Sequence, residues 1–154
     1  MALRKAEREL RDPADLMAIM EEAQVCRIGL SDNGAPYVVP MNFGLGVNCL
    51  YLHCAPEGRK LDILRRNDRV CFEMDLLREL KRSERACGWG ARYESVIGFG
   101  RAVLVADAVE KRQGIDAIMT HYGAQGPFFY PDEILAGTTV IRIDIESITG
   151  KRRP

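Results

Sequence analysis

The feature that most constrains this chain is a two-residue hydrophobic period repeated in three separate segments. In the stretch from Pro36 to Phe43, Tyr37, Val39, Met41 and Phe43 fall on one face and Val38, Pro40 and Asn42 on the other. Arg69 to Leu76 places Val70, Phe72, Met74 and Leu76 together, and Thr138 to Ile145 sets Thr139, Ile141, Ile143 and Ile145 opposite Val140, Arg142 and Asp144. Such alternation belongs to strands with one buried face, which in sheets means antiparallel pairing. Three further apolar segments, Gln24 to Leu30, Cys49 to Cys54 and Tyr93 to Val105, complete a set of six predicted strands. Asn33-Gly34 supplies the hairpin turn between the first two, and Gly44 to Asn48 turns the chain into the third. Pro40 has no amide to donate, so its strand is expected at an edge or irregular there. Gly98 and Gly100 lie inside the long fifth strand, where glycine marks a bulge or a close backbone approach.

Helical spacing is confined to three places. Asp12-Pro13 has the form of an N-cap with proline in the first turn, and Leu16, Ile19, Met20 and Ala23 follow at helical intervals, giving a helix over 13–23. A short helix is expected from Arg59 to Arg66 after the loop Ala55-Pro56-Glu57-Gly58, and a longer one from Ala108 to Tyr122. The polar stretch 78–92 is the longest expected loop. The pattern is mainly β (α+β): a six-stranded antiparallel barrel with peripheral helices, formed by residues 1–154 as a single domain.

Charge and composition narrow the function. Twenty-two Lys and Arg balance 22 Asp and Glu, so the basic excess typical of nucleic-acid binding is missing. No uninterrupted apolar run is longer than Ala102–Ala106, far below the roughly 20 residues of a membrane helix. The charged start Met1–Glu9 does not have the form of a signal peptide, and a cytoplasmic protein is expected. The five cysteines contain no Cys-x-x-Cys pair, and most sit in apolar segments as small hydrophobes, so no metal site is expected. The sequence lacks a Gly-x-Ser-x-Gly elbow and a complete phosphate-binding Walker loop, and Gly98-Phe99-Gly100 continues into Arg-Ala-Val where a dinucleotide fingerprint needs a third Gly or Ala. His53 and Cys54 are neighbours on one strand and therefore point to opposite faces, which disfavours a dyad.

Two clusters stand out. Gly58-Arg59-Lys60 opens the short helix, where two cations are unfavourable next to the positive end of the helix dipole unless an anion sits there. Backbone amides, a guanidinium fork and an ammonium would together hold a phosphomonoester; the competing reading is a solvated basic turn balanced by Asp62. Trp89, Tyr93 and Ser95 carry polar tips suited to a planar ligand, although aromatics in such places more often serve ordinary core or dimer packing.

Taken in order, Ala35-Pro36-Tyr37-Val38-Val39-Pro40-Met41-Asn42-Phe43, Leu50-Tyr51-Leu52-His53-Cys54-Ala55, Gly58-Arg59-Lys60-Leu61-Asp62, Arg69-Val70-Cys71-Phe72-Glu73 and Tyr93-Glu94-Ser95-Val96-Ile97-Gly98-Phe99-Gly100 carry a resemblance. The chain, from Arg4 to Lys151, resembles the nitroimidazole-resistance branch of the pyridoxamine 5'-phosphate oxidase-like FMN-binding split barrels. The resemblance implies a homodimer with two FMN sites at the interface. By the same likeness Val38, Val39, Pro40, Met41 and Asn42 border the flavin ring edge, His53 and Cys54 reach its ribityl and phosphate region, and Gly58, Arg59 and Lys60 bind the phosphate. Trp89, Tyr93 and Ser95 would approach from the partner chain. Gly58 stands where the vitamin B6 oxidases often have Ser, and their substrate-binding Trp and Arg segment is missing, so B6 oxidation is not expected. The implied activity is a flavin-dependent reductase for small electrophiles such as nitroaromatic compounds, with NADH or NADPH as a transient donor. His53 is the candidate proton donor, with a plain cofactor contact as its other reading. The alternative class is a non-catalytic module binding flavin or haem for sensing, storage or electron carriage.

Overall fold

The computed structural model describes residues 6–154, so the expectation drawn from the start of the chain falls largely outside the described residues. After a single 3-10 turn the chain forms β1 (Glu9–Leu10), α1 (Pro13–Glu22), β2 (Cys26–Asp32), β3 (Ala35–Met41), β4 (Phe43–Gly46) and β5 (Cys49–Cys54). It continues through α2 (Arg59–Arg66), β6 (Arg69–Lys81), β7 (Gly90–Leu104), α3 (Ala108–His121), α4 (Asp132–Ala136) and β8 (Thr139–Arg153). Local chemistry sets these boundaries. The Asp12 carboxylate accepts from Ala14 N at 2.9 Å to open α1, and Asp107 caps α3 through Val109 N and Glu110 N. Asn33 and Gly34 both take positive φ, 52° and 91°, making the tight turn that pairs Asp32 with Ala35.

The strands form one antiparallel sheet in the order β3-β2-β6-β7-β8-β5-β4, with β1 added along β8. The antiparallel barrel with peripheral helices is as expected, but the sheet has eight strands rather than six. One reason lies at Asn42. The alternation through Met41 and Phe43 reads as a single strand, yet the chain breaks there into β3 and β4, and these two occupy opposite edges of the sheet. Asn42 alone links the two edges, so the sheet curls until β3 and β4 come together at that residue, and no ladder joins them across the open seam. Pro40 accordingly lies on an edge strand, where its missing donor costs nothing.

Other differences are extensions. β4 occupies much of the expected Gly44–Asn48 turn, β8 runs on to Arg153, and β6 and β7 extend as a ribbon that shortens the expected loop 78–92 to residues 82–89. Leu77 to Lys81 are exposed, so this ribbon carries no one-sided pattern to read. The glycines behave as expected. A side chain at Gly98 would strike the Phe72 ring, and the β7–β8 register slips at Gly100, with Glu146 as the extra residue.

One hydrophobic core fills the barrel. Phe43, Leu50, Phe72, Met74, Val96 and Ile143 are fully buried, and Leu61, Ile63 and Leu64 of α2 close its end. Among the described residues no helix is long and apolar enough to cross a membrane.

Candidate functional site

Strand β5 delivers His53 and Cys54 to one end of the barrel, paired with Val140 and Thr139 of β8. Leu50, Leu52 and Cys54 face inward and His53 outward, as adjacent strand positions must. The chain then turns through Gly58, whose φ of 136° and ψ of 160° suit glycine alone. Gly58 has no side chain to cap α2, and its carbonyl accepts from Leu61 N at 2.9 Å and Asp62 N at 3.2 Å. The amides of Arg59 and Lys60 have no partner among the described residues. A Cβ at Gly58 would meet nothing within 4 Å, so the helix mouth is open.

The two cations are held loosely. The Arg59 guanidinium lies 4.6 Å from the centroid of the Tyr37 ring and 3.9 Å from Asp32, which Arg66 binds more closely at 2.8 Å. Lys60 is half-buried, its Nζ 3.4 Å from Met41 Sδ, and no carboxylate lies within 4.0 Å of it among the described residues. Its charge is felt nearby. Burial first, and then Lys60, pushes the His53 imidazole below its ordinary value, leaving it neutral at pH 7. Burial raises the Cys54 thiol, with Lys60 pulling the other way.

Strand β3 runs beside this corner. Tyr37, Val39 and Met41 turn toward the core, Val38 is 61% exposed, and Pro40 and Asn42 are exposed. The fold thus brings β3, from Val38 to Asn42, together with Gly58, Arg59 and Lys60 through the Arg59–Tyr37 and Lys60–Met41 contacts, with His53 and Cys54 within reach of the Lys60 charge.

Trp89, Tyr93 and Ser95 are elsewhere. Trp89 is half exposed, with Nε1 donating to Ser83 O at 2.7 Å. Tyr93 and Ser95 lie on the outer face of β7, paired with Leu77 and Asp75 on one side and with Arg153 and Lys151 on the other. Val140, beside His53, and Arg153, beside Tyr93, are at opposite ends of β8, separated by about 40 Å of extended strand. Within one chain the two clusters do not meet.

Sequence reasoning missed Tyr37 and Asp32 as partners of Arg59. The alternation puts Tyr37 on the buried face, where it lies, but its contact with α2 depends on how the helix closes the barrel. No local pattern encodes that. Among the described residues, no group of three or more His, Cys, Asp or Glu is placed to hold a metal ion.

The pyridoxamine 5'-phosphate oxidase family profile matches residues 12–152. A candidate 5-nitroimidazole antibiotic resistance protein from Bacteroides thetaiotaomicron VPI-5482 is 36% identical and superposes with a TM-score of 0.84, covering 94% of this chain and 86% of that one. The flavocytochrome Anf3 from Azotobacter vinelandii shares the fold at 22% identity (TM-score 0.82, 99% of this chain and 72% of that one). So does an FAD and haem binding protein from Mycobacterium smegmatis at 18% identity (TM-score 0.83, 94% and 73%). A search of the curated proteins found no match. With its split-barrel sheet, its open basic helix mouth and a family match over nearly its whole length, the chain belongs to the pyridoxamine 5'-phosphate oxidase family.

Proposed function

We propose that this protein is an FMN-binding oxidoreductase that passes electrons from a reduced donor to small electrophiles such as 5-nitroimidazoles. The observation that carries the reading is the uncapped mouth of α2. Two free amides, the loosely held Arg59 and the unpaired, half-buried Lys60 converge there beside the exposed edge of β3. These residues fit a phosphate ester: backbone donors and the helix dipole favour the dianion, Arg59 offers a planar fork, and Lys60 gains the counter-charge it lacks. The unpaired backbone along the edge strand from Val38 to Asn42 provides donors and acceptors for a flat heterocycle, and Val38 and Pro40 supply apolar surface.

When bound, FMN supplies the hydride and single-electron chemistry. The chain's own residues bind and orient. In this reading His53, at the end of β5, would hold a hydrogen bond to the cofactor's polar chain. We propose that two copies form the working unit, in which Trp89, Tyr93 and Ser95 of one chain complete the other's site. NADH or NADPH would act as a transient donor docking over the open face. The protein is proposed to act in the cytoplasm, as one domain over residues 1–154.

The purified protein is expected to show a flavin spectrum that bleaches with NADH or NADPH and recovers with a nitroimidazole. A Soret band in its place would favour the haem-binding module, and a stable flavin spectrum without turnover would favour storage. Replacing Arg59 and Lys60 together by alanine should leave the fold intact and weaken FMN binding by about a hundredfold or more, since each charge-assisted bond contributes roughly 1.5–3 kcal/mol. Unchanged affinity in the folded double variant would overturn the phosphate assignment.

A further inference from the structure

The seam at Asn42 is held from outside the sheet. The Phe43 amide donates to the Tyr122 hydroxyl at 3.4 Å, and that hydroxyl donates to Gln24 O at 2.8 Å. One residue earlier, His121 Nε2 lies 2.8 Å from Ala23 O, and its ring sits 4.2 Å from the fully buried Phe43 ring. Tyr122 is the C-cap of α3, and its neighbour Gly123 turns at a φ of 86°. Gly44 lets the helix seat directly on β4, because a Cβ there would lie 2.4 Å from the Ala117 carbonyl carbon and the Ile118 amide. The two bonds of a single phenol therefore join the first residue of β4 to the segment that leads into β2, the strand on which β3 is laid through the Cys26–Met41 pair. Between those fixed points hangs Asn42, exposed and flanked by the edge backbone that the proposed flavin site uses.

We infer that Tyr122, supported by His121, is a positioning residue. It clasps the two sides of the barrel seam and so fixes the end of β3, from Pro40 to Asn42, in the geometry that receives the planar ligand. Without the hydroxyl, the Phe43 amide and the Gln24 carbonyl lose a shared partner, and the covalent bridge is free to shift relative to β2. This inference rests on the proposed flavin site for its consequence, though not for the clasp itself.

The test compares Tyr122→Phe with Tyr130→Phe, a control that removes a phenol hydroxyl bonded to Asp116 of α3 at 2.8 Å, with no bond to Phe43 or Gln24. Amide hydrogen exchange in the flavin-free protein and FMN affinity by fluorescence quenching are read for both variants. In Tyr122→Phe, exchange at Asn42 and Phe43 should rise and FMN affinity should fall by about tenfold, the scale of two lost hydrogen bonds. Tyr130→Phe should change neither. Equal losses in both variants, or faster seam exchange with unaltered FMN affinity, would overturn the positioning role. Unaltered exchange at Phe43 would overturn the clasp. Should the wild-type protein bind no FMN, the flavin reading fails, and exchange at Phe43 alone decides the clasp.

Discussion

His53 stands where burial and the Lys60 ammonium both push its proton off. Its folded pKa lies below the ordinary value of 6.5, so the unfolded chain binds the proton more readily. The stability that goes with the neutral ring is complete above that value and is lost as pH falls through it toward the folded pKa. Replacing His53 by Asn should therefore flatten the fall in melting temperature between neutral and mildly acidic pH, measured on flavin-free protein. If the side chain only contacts the cofactor, the same variant should lower FMN affinity while keeping the rate per bound flavin. A loss above about a hundredfold in that rate would mark it as a proton donor. At this scale the sequence was informative about chemistry and less so about company. Arg59 and Lys60 could be singled out because cations at a helix mouth conflict with the dipole. Their neighbours Tyr37, Asp32 and Met41 come from a hairpin more than 15 residues upstream, and nothing local announces the meeting.

At the far end of β8 from the α2 mouth, elements are tied together by one buried carboxylate. Glu94, on the inner face of β7, accepts from Arg78 Nε at 2.7 Å and from Arg152 of β8; Arg78 also binds Glu22 of α1, and Arg152 reaches Asp15 at 3.1 Å. Arg78 is the extra residue of a bulge in β6, which swings its side chain toward the helix. Burial pushes the Glu94 carboxyl up, but the two arginines outweigh that and hold it below the usual carboxylate range. Its contribution is present above the unfolded pKa and is lost as pH falls through the folded one. Glu94→Gln should thus cost about 1–3 kcal/mol near neutral pH, with the gap from wild type closing in acid, as followed by chemical denaturation across pH. Helices α1 to α3, β5 and the hairpin were legible because caps, an Asn-Gly turn and one-sided burial mark them. Strand β4 was hidden because Met41 and Phe43 both face the core, so the alternation passes through the break. The five-residue α4, Asp132–Ala136, is too short to establish a period.

For the whole molecule, the distance between the two clusters is the main fact. The outer face of the sheet carries Val38, Ile97 and Phe99, 61%, 44% and 52% exposed, beside an open groove of about 380 Å³ that Cys71 and Phe99 help to line. An apolar face of this kind, next to an uncovered edge strand, suits a second copy related by a twofold axis. A mixture of a chain defective at Arg59 and Lys60 with one defective at Tyr93 and Ser95 should regain about one FMN per mixed dimer, while each parent binds little. Monomers in sedimentation at micromolar concentration, or mixed dimers that stay empty, would refute shared sites.

The seam has one more consequence. A barrel whose edges are joined through a single residue is a ring with a clip. Cutting the chain at Asn42 would remove no ladder hydrogen bond, yet it would let β3 and β4, already the two edges of the sheet, move apart. Such edges are templates for strand addition from other molecules. A nicked molecule should keep its secondary structure while becoming prone to polymerise, so a residue outside the ladder would guard the protein against aggregation.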